Sequence, residues 1–504
     1  MVVKLDKVPF EDALNMTGFS KFNLLMFLLC SSIIVGMGFE VFSVSYLVPA
    51  SVCELGTSST QQGLIAGIPL TGVIMTSHFW GYLADTRGRR KILALSMSIG
   101  FLAGALAAFS PNWIVLAILK FASSASVSGA FALSLTLLSE CTPKAKRSAL
   151  VILTTSVSLA STGLMAVLSI PILPLKFSYY IPYLNIHLNS WRLLDLIFSL
   201  PALFSAIGVA CAYESPRYLL SVGKDKEALA VMKGVFVMNH GGNGDDFQVN
   251  SVVLNEENAA LKAKGIWSSM IAQTIPMMKP PLLKRTLLLS LLFCISFICM
   301  NPFLVWVPFI VNAFMSSVVR GEVNMTFCEM ITTAKNATLV DVTANCSMNI
   351  TAMTMVFGIS MFLSLVNLVT AGLIGCVGRK TLVIGIQVIG GLSALLVNTT
   401  YIWVVSAFLF MIFLLGVINF GLLTTYSVDI FPTYVKAMAV CLTLMVGRGS
   451  AVLGINILKR LLDSDCEAAF YIFGSVTLAG GIVGLLLPSD ATITQESQKI
   501  EEKS

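Results

Sequence analysis

Long apolar segments recur along the whole chain, separated by polar stretches. Twelve of them approach the roughly 20 residues that a helix needs to cross a bilayer, and we number them spans 1 to 12. In residue numbers they are 22–47, 62–83, 92–110, 113–138, 148–170, 191–213, 286–311, 353–375, 381–398, 402–427, 438–459 and 467–487. This pattern predicts an all-α membrane protein with twelve transmembrane helices.

Composition supports this interpretation. Of 504 residues, 56% are hydrophobic and 12% are charged, whereas soluble domains carry about 25% charged residues. The net charge is +6, but the cations lie in loops, so they predict topology and not nucleic-acid binding. Span 1 is long enough to cross the bilayer, so we expect a retained helix and not a cleaved signal peptide.

Lysine and arginine are concentrated in alternate loops, which predicts that those loops face the cytosol. The cations of loops 2–3, 4–5, 8–9 and 10–11 are Arg87, Arg89, Arg90, Lys91, Lys144, Lys146, Arg147, Arg379, Lys380 and Lys436. Loops 1–2, 3–4 and 9–10 contain none, while Lys459 and Arg460 near loop 11–12 are exceptions. Both termini and the long loop 6–7 are therefore expected to be cytosolic.

The loop between spans 2 and 3 carries the pattern G-x-x-x-D-x-x-G-R-R. Its residues are Gly81, Asp85, Gly88, Arg89 and Arg90. The chain leaves one helix, turns at Gly88 and meets a cationic cluster, while Asp85 can pair with those cations or with a helix N-terminus. An ordinary cationic membrane anchor explains the arginines but not the glycines and the aspartate.

Related patterns end other spans. Span 4 is followed by E-x-x-P-x-x-x-R and span 10 by D-x-x-P-x-x-x-K, and span 6 is followed by E-S-P-R. The residues are Glu140, Pro143, Arg147, Asp429, Pro432, Lys436, Glu214, Pro216 and Arg217. Acids and bases at these spacings can form charge networks that rearrange when two halves move, although each pattern alone also fits helix termination by proline. The echo between the halves predicts an internal repeat.

These motifs resemble those of the major facilitator superfamily, in its sugar-porter and organic-ion-transporter branch. Within that branch the chain is most similar to the synaptic vesicle glycoprotein 2 family, through residues 13–22, residues 46–53 and the insert between spans 7 and 8. The resemblance implies two pseudo-symmetric six-helix bundles and secondary active transport by alternating access. It implies a bundle at 1–213, a cytosolic loop at 214–285, a second bundle at 286–487 with an external loop at 312–352, and a cytosolic tail at 488–504.

The chain departs from the family pattern at two places. In the repeat of the first motif, Gly375 stands where Asp85 stands in the first half. Lys120 occupies a span 4 position that is often arginine in sugar porters, and serines replace the glycines that follow it there. A sugar substrate therefore does not follow from the resemblance.

Ionisable residues within spans are functional candidates because burying a charge in a bilayer is costly. Arg448, flanked by glycines in span 11, offers a planar fork suited to carboxylate, sulfate or phosphate. Related organic-anion transporters associate a helix 11 arginine with anion selectivity, so the resemblance implies an organic anion or zwitterion as substrate. A structural salt bridge from Arg448 to Glu40 or Asp195 is the alternative.

The remaining intramembrane candidates have open roles. Glu40 fits proton coupling, a cation contact or a position beside external water. Lys120 fits either a ligand contact or a side chain that reaches the interface, and His78 beside Trp80 fits a structural role. Further polar and aromatic cavity candidates are Asn301, Trp306, Asn367, Asn419 and Tyr426. Pro302 and Pro308 predict a kinked or broken span 7.

The loop between spans 7 and 8 carries four glycosylation sequons, at Asn324, Asn336, Asn345 and Asn349. Asn349 lies close to span 8 and is the sequon least expected to be used. Asn398 also opens a sequon, but it lies at a membrane boundary, so we discount it. Four cysteines, Cys53, Cys328, Cys346 and Cys466, fall on the predicted external side, where disulfides persist. Four cysteines allow three pairings. We favour Cys328 with Cys346, and Cys53 with Cys466.

The sequence thus predicts a secondary active transporter for a small organic anion or zwitterion, and we expect it to be a monomer. It has no metal-ligand cluster, nucleophile elbow or phosphate-binding loop, so we expect no enzyme activity, cofactor or metal. The expected partners are the bilayer, the solute, and a coupling proton or sodium ion. Its membrane is either the plasma membrane or that of a vesicle. The alternatives are a non-transporting glycosylated receptor or vesicle-trafficking protein, and a sugar transporter.

Overall fold

The computed structural model describes residues 7–242, 244–253, 275, 277–280, 282–340, 349–431 and 436–488. Over these residues the chain is mainly helical. The helices are α1 (Phe10–Met16), α2 (Lys21–Phe42), α3 (Val44–Leu55), α4 (Ser59–Arg87), α5 (Arg89–Ala107), α6 (Trp113–Val127), α7 (Ala130–Glu140), α8 (Lys144–Ile172), α9 (Ser190–Cys211), α10 (Pro216–Ser221), α11 (Asp225–His240), α12 (Leu282–Val319), α13 (Phe327–Val340), α14 (Ile350–Val377), α15 (Arg379–Leu396), α16 (Trp403–Leu414), α17 (Asn419–Ile430), α18 (Lys436–Ser464) and α19 (Cys466–Gly484).

The twelve predicted spans are confirmed. Within the described residues, twelve helical segments are long and apolar enough to cross a membrane. Three spans are each built from two helices: α2 and α3 form span 1, α6 and α7 form span 4, and α16 and α17 form span 10. A 3-10 turn at Leu415–Ile418 joins the two helices of span 10.

Span 7 is not broken, contrary to one of the two forms predicted for it. Helix α12 runs for 38 residues with Pro302 and Pro308 inside it. Pro302 has no N–H to donate to the carbonyl of Ile298, one turn earlier. The backbone of Gly454 in α18 covers that carbonyl so closely that an added Cβ would lie 2.5 Å from the Ile298 oxygen. The neighbouring helix thus packs over the backbone group that the proline leaves free.

Two small sheets accompany the helices. Strands β1 (Val8–Pro9) and β4 (Val252–Val253) pair in parallel, with Val8 opposite Val252. Strands β2 (Tyr179–Ile181) and β3 (Ile186–Leu188) form an antiparallel hairpin between spans 5 and 6. These strands are too short to give a period-2 pattern, which is why the sequence did not predict them.

The described residues form two compact units. Unit 1 comprises those within Met1–Ser43, Gly72–Met165 and Ser178–Lys262, and unit 2 those within Val44–Thr71, Ala166–Phe177 and Ala263–Ser504. The units therefore do not follow a single cut in the chain. The division into bundles at 1–213 and 286–487, with the loop at 214–285 and the tail at 488–504, stays a prediction from the sequence.

Small residues allow close helix packing inside each unit, as is usual in membranes. In unit 1, α9 packs along α2 and α5, and a Cβ on Gly36 would lie 3.1 Å from the Ala202 backbone. In unit 2, α12 packs along α18 and α15 along α19. There a Cβ on Gly391 would lie 2.9 Å from the carbonyl oxygen of Gly474. These contacts hold the helices that carry the candidate site residues.

Candidate functional site

Unit 1 contains a buried ion pair between spans 4 and 6. Lys120 Nζ in α6 lies 2.5 Å from Asp195 Oδ1 in α9, and the two side chains are 1% and 0% exposed. The second carboxylate oxygen of Asp195 has no hydrogen-bond partner among the described residues. Lys120 is therefore a buried ion-pair partner and does not extend to the membrane interface.

Glu40 lies in α2 of the same unit and is also buried. Its Oε2 is 2.5 Å from the Ser123 hydroxyl, which in turn is 3.1 Å from the carbonyl oxygen of Gly100. Glu40 Oε1 has no partner in the described part of the chain. Gly104 faces the Glu40 carboxyl so closely that a Cβ there would overlap it.

This arrangement suits both protonation states of Glu40. The Ser123 hydroxyl has one proton and can donate it to only one of its two neighbouring acceptors. When Glu40 is ionised, Ser123 can donate to the carboxylate. When Glu40 is protonated, its own O–H can donate to Ser123, which then donates to the Gly100 carbonyl. The geometry therefore lets the hydrogen bond between Glu40 Oε2 and Ser123 persist whether Glu40 is ionised or protonated.

The sequence reasoning missed Arg192, which lies three residues before Asp195 in α9. Its side chain is fully buried, and its Nη1 donates to the carbonyl oxygens of Ala108 at 2.7 Å and Ser110 at 2.9 Å. Its guanidinium also lies over the Trp191 ring, 4.4 Å from the centroid. The i, i+3 spacing of Arg192 and Asp195 was the available signal.

Arg448 lies in α18 of unit 2, where it is half-buried. Among the described residues of unit 2, no salt bridge or hydrogen bond to Arg448 is found. Within unit 1, Asp195 pairs with Lys120, and Glu40 with Ser123. The alternative of a salt bridge from Arg448 to Glu40 or Asp195 would join the two units and stays a prediction.

The glycines on either side of Arg448 have different surroundings. Gly447 lies against α12, since a Cβ there would come within 2.9 Å of the Phe297 ring. Gly449 has open space, with no atom within 4 Å of such a Cβ. The arginine therefore sits on a helix that packs tightly on one side and leaves room on the other.

The other cavity candidates also lie in unit 2 and occupy different environments. Asn301 is buried in α12, and its Nδ2 has no partner among the described residues. Trp306 donates to the Ile455 carbonyl at 3.3 Å, and Asn419 Nδ2 is 3.5 Å from the Val383 carbonyl. Tyr426 is buried beneath the Arg379 guanidinium, 5.0 Å from its ring centroid. Asn367 is half-buried in α14.

The motif residues of unit 1 form a charge network. Arg89 lies 3.2 Å from Asp85 and 3.1 Å from Glu140. The Ser215 hydroxyl, beside Pro216 and Arg217, donates to Glu140 at 2.5 Å. Pro143 is buried next to this network. Glu140 thus pairs with Arg89 of the first motif, whereas Arg147, the base of its own motif, pairs with Glu11.

Glu214 completes the network at the turn after span 2. Gly88 has a φ of +103°, and a Cβ on it would overlap the Glu214 carboxylate. Glu214 Oε1 accepts the backbone N–H of Arg90 at 3.0 Å. Gly81, by contrast, has open space within 4 Å. The second motif glycine is thus required both by its backbone conformation and by close packing.

The counterpart in the later half is only partly described. Pro432 lies outside the described residues, as do the side chains of Asp429 and Lys436. Arg379, which matches Arg89 in the repeat, lies over the Tyr426 ring. An aromatic ring therefore contacts the repeat cation in the half where Gly375 replaces the motif aspartate.

The disulfide on the predicted external side differs from the favoured pairing. Cys328 is bonded to Cys466, with 5.6 Å between their Cα atoms, so both favoured pairings, Cys328 with Cys346 and Cys53 with Cys466, are wrong. Cys53 is also disulfide-bonded, while Cys346 lies outside the described residues. The bond holds the N-terminus of α13 at the start of α19. Spacing in the sequence could not reveal this contact across 138 residues.

Lys459, an exception to the alternation of cationic loops, is buried, and its ammonium group is paired with Asp463. Its Nζ lies 3.0 Å from Asp463 and over the rings of Trp306 and Phe309, at 5.4 and 4.6 Å. Asp463 also pairs with Lys335 of α13 at 2.8 Å. Such contacts explain why a cation is tolerated at this position.

The sequons lie in contrasting surroundings. Asn324 is exposed in the turn before α13, and Asn349 is the N-cap of α14, accepting the Thr351 N–H at 2.9 Å. Asn398 is buried and accepts the Cys328 N–H at 3.1 Å, which agrees with our discounting it. Asn336 falls in α13 without a described side chain, and Asn345 lies outside the described residues.

Comparison with known proteins finds a family model and several relatives that are similar to this chain. The family model described as Major Facilitator Superfamily matches residues 28–455. The putative transporter svop-1 of Caenorhabditis elegans is 28% identical over 229 residues, covering 45% of this chain and 41% of that protein. Human synaptic vesicle glycoprotein 2B is 27% identical over 247 residues, covering 48% and 36%.

Two further similarities are broader in extent. Organic cation/carnitine transporter 7 of Arabidopsis thaliana is 26% identical over 305 residues, covering 56% of this chain and 58% of that protein. The alignments with these curated relatives thus span between about a third and three fifths of their lengths. The xylose transporter XylE of E. coli, in a partially occluded inward-open conformation, has a TM-score of 0.66 at 15% identity over 94% of this chain and 99% of that one. That identity supports a shared fold alone.

Proposed function

Because the chain belongs to the major facilitator superfamily, we propose that it is a secondary active transporter that works by alternating access. The predicted resemblance to this superfamily and to the vesicle glycoproteins is confirmed. Twelve candidate spans make it an integral multi-pass membrane protein. We place both termini in the cytosol, on the basis of the lysines and arginines in alternate loops.

The observation that carries the substrate proposal is the state of Arg448. A charged side chain at the middle of a membrane span costs about 2.5–3.5 kcal/mol on insertion scales unless it is compensated. Arg448 is half-buried and has no anionic partner among the described residues. An organic anion or zwitterion would supply that compensation through a bidentate contact to the guanidinium. We therefore propose Arg448 as the anion-binding residue.

Thermal stability with a ligand panel tests this proposal. Purified protein is melted with organic anions, zwitterions, organic cations and sugars, because a ligand that binds only folded protein raises its Tm. We expect an anionic or zwitterionic class to raise the Tm of the parent but not of Arg448→Ala. The matched control is Arg460→Ala, which removes an exposed arginine from the same helix and should keep the Tm shift. A shift retained in Arg448→Ala would exclude this residue as the anion site.

Glu40 is our proposed proton-coupling residue, with the proton favoured over sodium. The single Ser123 hydroxyl between Glu40 and Gly100 serves either protonation state, whereas a sodium site needs several converging oxygen ligands. Proteoliposome uptake should therefore follow an imposed pH gradient in the parent. In Glu40→Gln it should lose that dependence, while Glu467→Gln, at an exposed position, should keep it. Uptake driven by a sodium gradient alone would contradict the assignment.

A transporter-like protein without transport activity remains the second candidate. It is favoured by the similarity to synaptic vesicle glycoprotein 2B and by Gly375 at the position of a motif aspartate. Such a protein would show neither solute flux nor a ligand-induced Tm shift while folded and monodisperse. A Tm shift with sugars alone would instead favour a sugar transporter.

A further inference from the structure

The segment before span 1 is folded onto the loop between spans 6 and 7. The backbone N–H of Val8 donates to the Ser251 carbonyl at 3.0 Å, and the N–H of Lys7 donates to the Ser251 hydroxyl at 2.7 Å. Strand β1 thereby pairs in parallel with β4. All of these residues lie in unit 1, the unit that also contains Glu40. The segment is therefore packed against the rest of that unit.

Helix α1 contributes to a small apolar core of its own. Phe10, Ala13 and Leu14 are 5%, 0% and 1% exposed. They join residues from α10, α11 and the β4 region in one cluster, whose other members are Val8, Leu219, Leu220, Ala228, Met232, Phe247, Val249 and Val252. Burial this complete is typical of a domain core and not of a peptide lying loosely on a surface.

An ion pair links α1 to the loop between spans 4 and 5. Arg147 Nη2 lies 3.0 Å from Glu11 Oε2 and 3.2 Å from Oε1, and it also donates to the Thr142 carbonyl at 3.3 Å. Half-exposed pairs of this kind contribute little stability. The apolar core therefore provides most of the docking energy, and the ion pair orients Arg147, the cation of the E-x-x-P-x-x-x-R motif.

The turn into span 1 is joined to both loops. Asn239 at the end of α11 donates through Nδ2 to the carbonyl oxygens of Thr17 at 3.0 Å and Gly18 at 3.2 Å. Asn23, in the first turn of α2, donates to the Cys141 carbonyl at 3.1 Å. Gly18 has a φ of +72°, and a Cβ there would overlap the His240 ring at 2.5 Å.

We propose that residues 7–18 form a clasp that holds loop 4–5 and loop 6–7 to the start of span 1, so that these elements move as one piece. Glu11 is a positioning residue within this clasp, because it holds the motif cation Arg147 inside unit 1. The role in the transport cycle rests on the proposed function, whereas the docking of the clasp does not. Releasing the clasp would separate Arg147 from Glu11 and expose the buried apolar residues of α10 and α11 that α1 contacts.

Cys141 reports the junction of loop 4–5 with the start of span 1, which the clasp is proposed to hold together. It is 3% exposed, and its carbonyl is the acceptor of Asn23. In a background in which the exposed Cys211 and Cys376 are replaced by serine, maleimide labelling of purified full-length protein in nanodiscs is followed by peptide mass spectrometry. The fully buried Cys30 reports global unfolding in the same sample.

Leu14→Ser removes a buried member of the cluster and should speed Cys141 labelling about tenfold or more, because local opening governs the reaction of a protected group. The matched control Met16→Ser changes an exposed residue of the same helix and should leave the rate within about twofold. Labelling of Cys141 at the parent rate in Leu14→Ser, with Cys30 still protected, would overturn the proposal.

A second variant decides the case in which Leu14→Ser unfolds the protein and Cys30 reacts as well. Glu11→Lys should also speed Cys141 labelling, because it places a second cation against Arg147 and adds repulsion beyond the loss of a weak pair. Combining it with Arg147→Glu should restore protection, since the pair is then reversed. No acceleration in Glu11→Lys refutes the positioning role. Absence of solute uptake in the parent would count against the transporter assignment while leaving the Cys141 result intact.

Discussion

The buried pair of Lys120 and Asp195 allows a quantitative test of charge burial in unit 1. Both side chains are essentially inaccessible and 2.5 Å apart, so removing one partner leaves the other charge buried without compensation. Such losses cost about 3–5 kcal/mol, whereas replacing both partners with apolar residues is often neutral or stabilising. Lys120→Met and Asp195→Asn should therefore each destabilise strongly, and Lys120→Met with Asp195→Leu should recover most of the loss.

The assay is thermal melting of the purified protein in one detergent. At about 2–4 °C per kcal/mol for a cooperative unit of 150–250 residues, each single variant should lower the Tm by roughly 6–20 °C. Lys224 and Glu227 form an exposed pair, at 53% and 58% exposure, so Lys224→Met is the matched control and should leave the Tm unchanged. Single variants that melt with the parent, or a double variant that melts below both singles, would refute the reasoning.

Three further predictions follow from unit 2. Gly454→Val should lower the free energy of unfolding by about 1–3 kcal/mol through overpacking, and with it the Tm, because the new side chain would meet the backbone of α12. Cys328→Ser should lower the Tm, because the bond to Cys466 closes a 138-residue separation. Reductant should then lower the Tm of the variant less than that of the parent. Non-reducing peptide mapping that fails to link the two cysteines would contradict this. Asn324→Gln should remove one glycan from protein made in a eukaryotic cell. Asn398→Gln should leave glycosylation unchanged but lower the Tm, because the hydrogen bond from the Cys328 N–H is lost. A deglycosylation gel shift measures the glycans, and thermal melting measures the Tm.

Several elements could be predicted because their signals are local. Each span is marked by about 20 consecutive apolar residues. All twelve were found, although spans 1 and 7 continue to Leu55 and Val319, beyond their predicted ends at 47 and 311. The first motif was also readable, since Gly88 marks a turn that only glycine adopts easily. Its partners Arg89 and Asp85 are four residues apart across the turn at Gly88, so their pairing is local in the sequence.

Pairings between distant segments were not readable in the same way. Lys120 and Asp195 were each identified as unusual, but 75 positions separate them, and nothing in the chain marks one as the partner of the other. The same holds for Cys328 and Cys466, where chain proximity favoured the wrong bond. No helix was predicted before span 1, where residues 13–22 served only the family resemblance, because seven-residue α1 is too short to show a helical period against its flanks.

The sequence by itself determined that this chain crosses a membrane about twelve times, which loops carry the cations, and which residues inside the spans have to be explained. Those properties depend on the transfer of each segment from water to lipid, which is set by local composition. Only the tertiary structure decided that Asp195 neutralises Lys120, that Glu40 meets Ser123 and that Arg448 is left without a partner among the described residues. Such choices depend on which helices pack together, and that packing is a sum of many small contacts distributed over the whole chain.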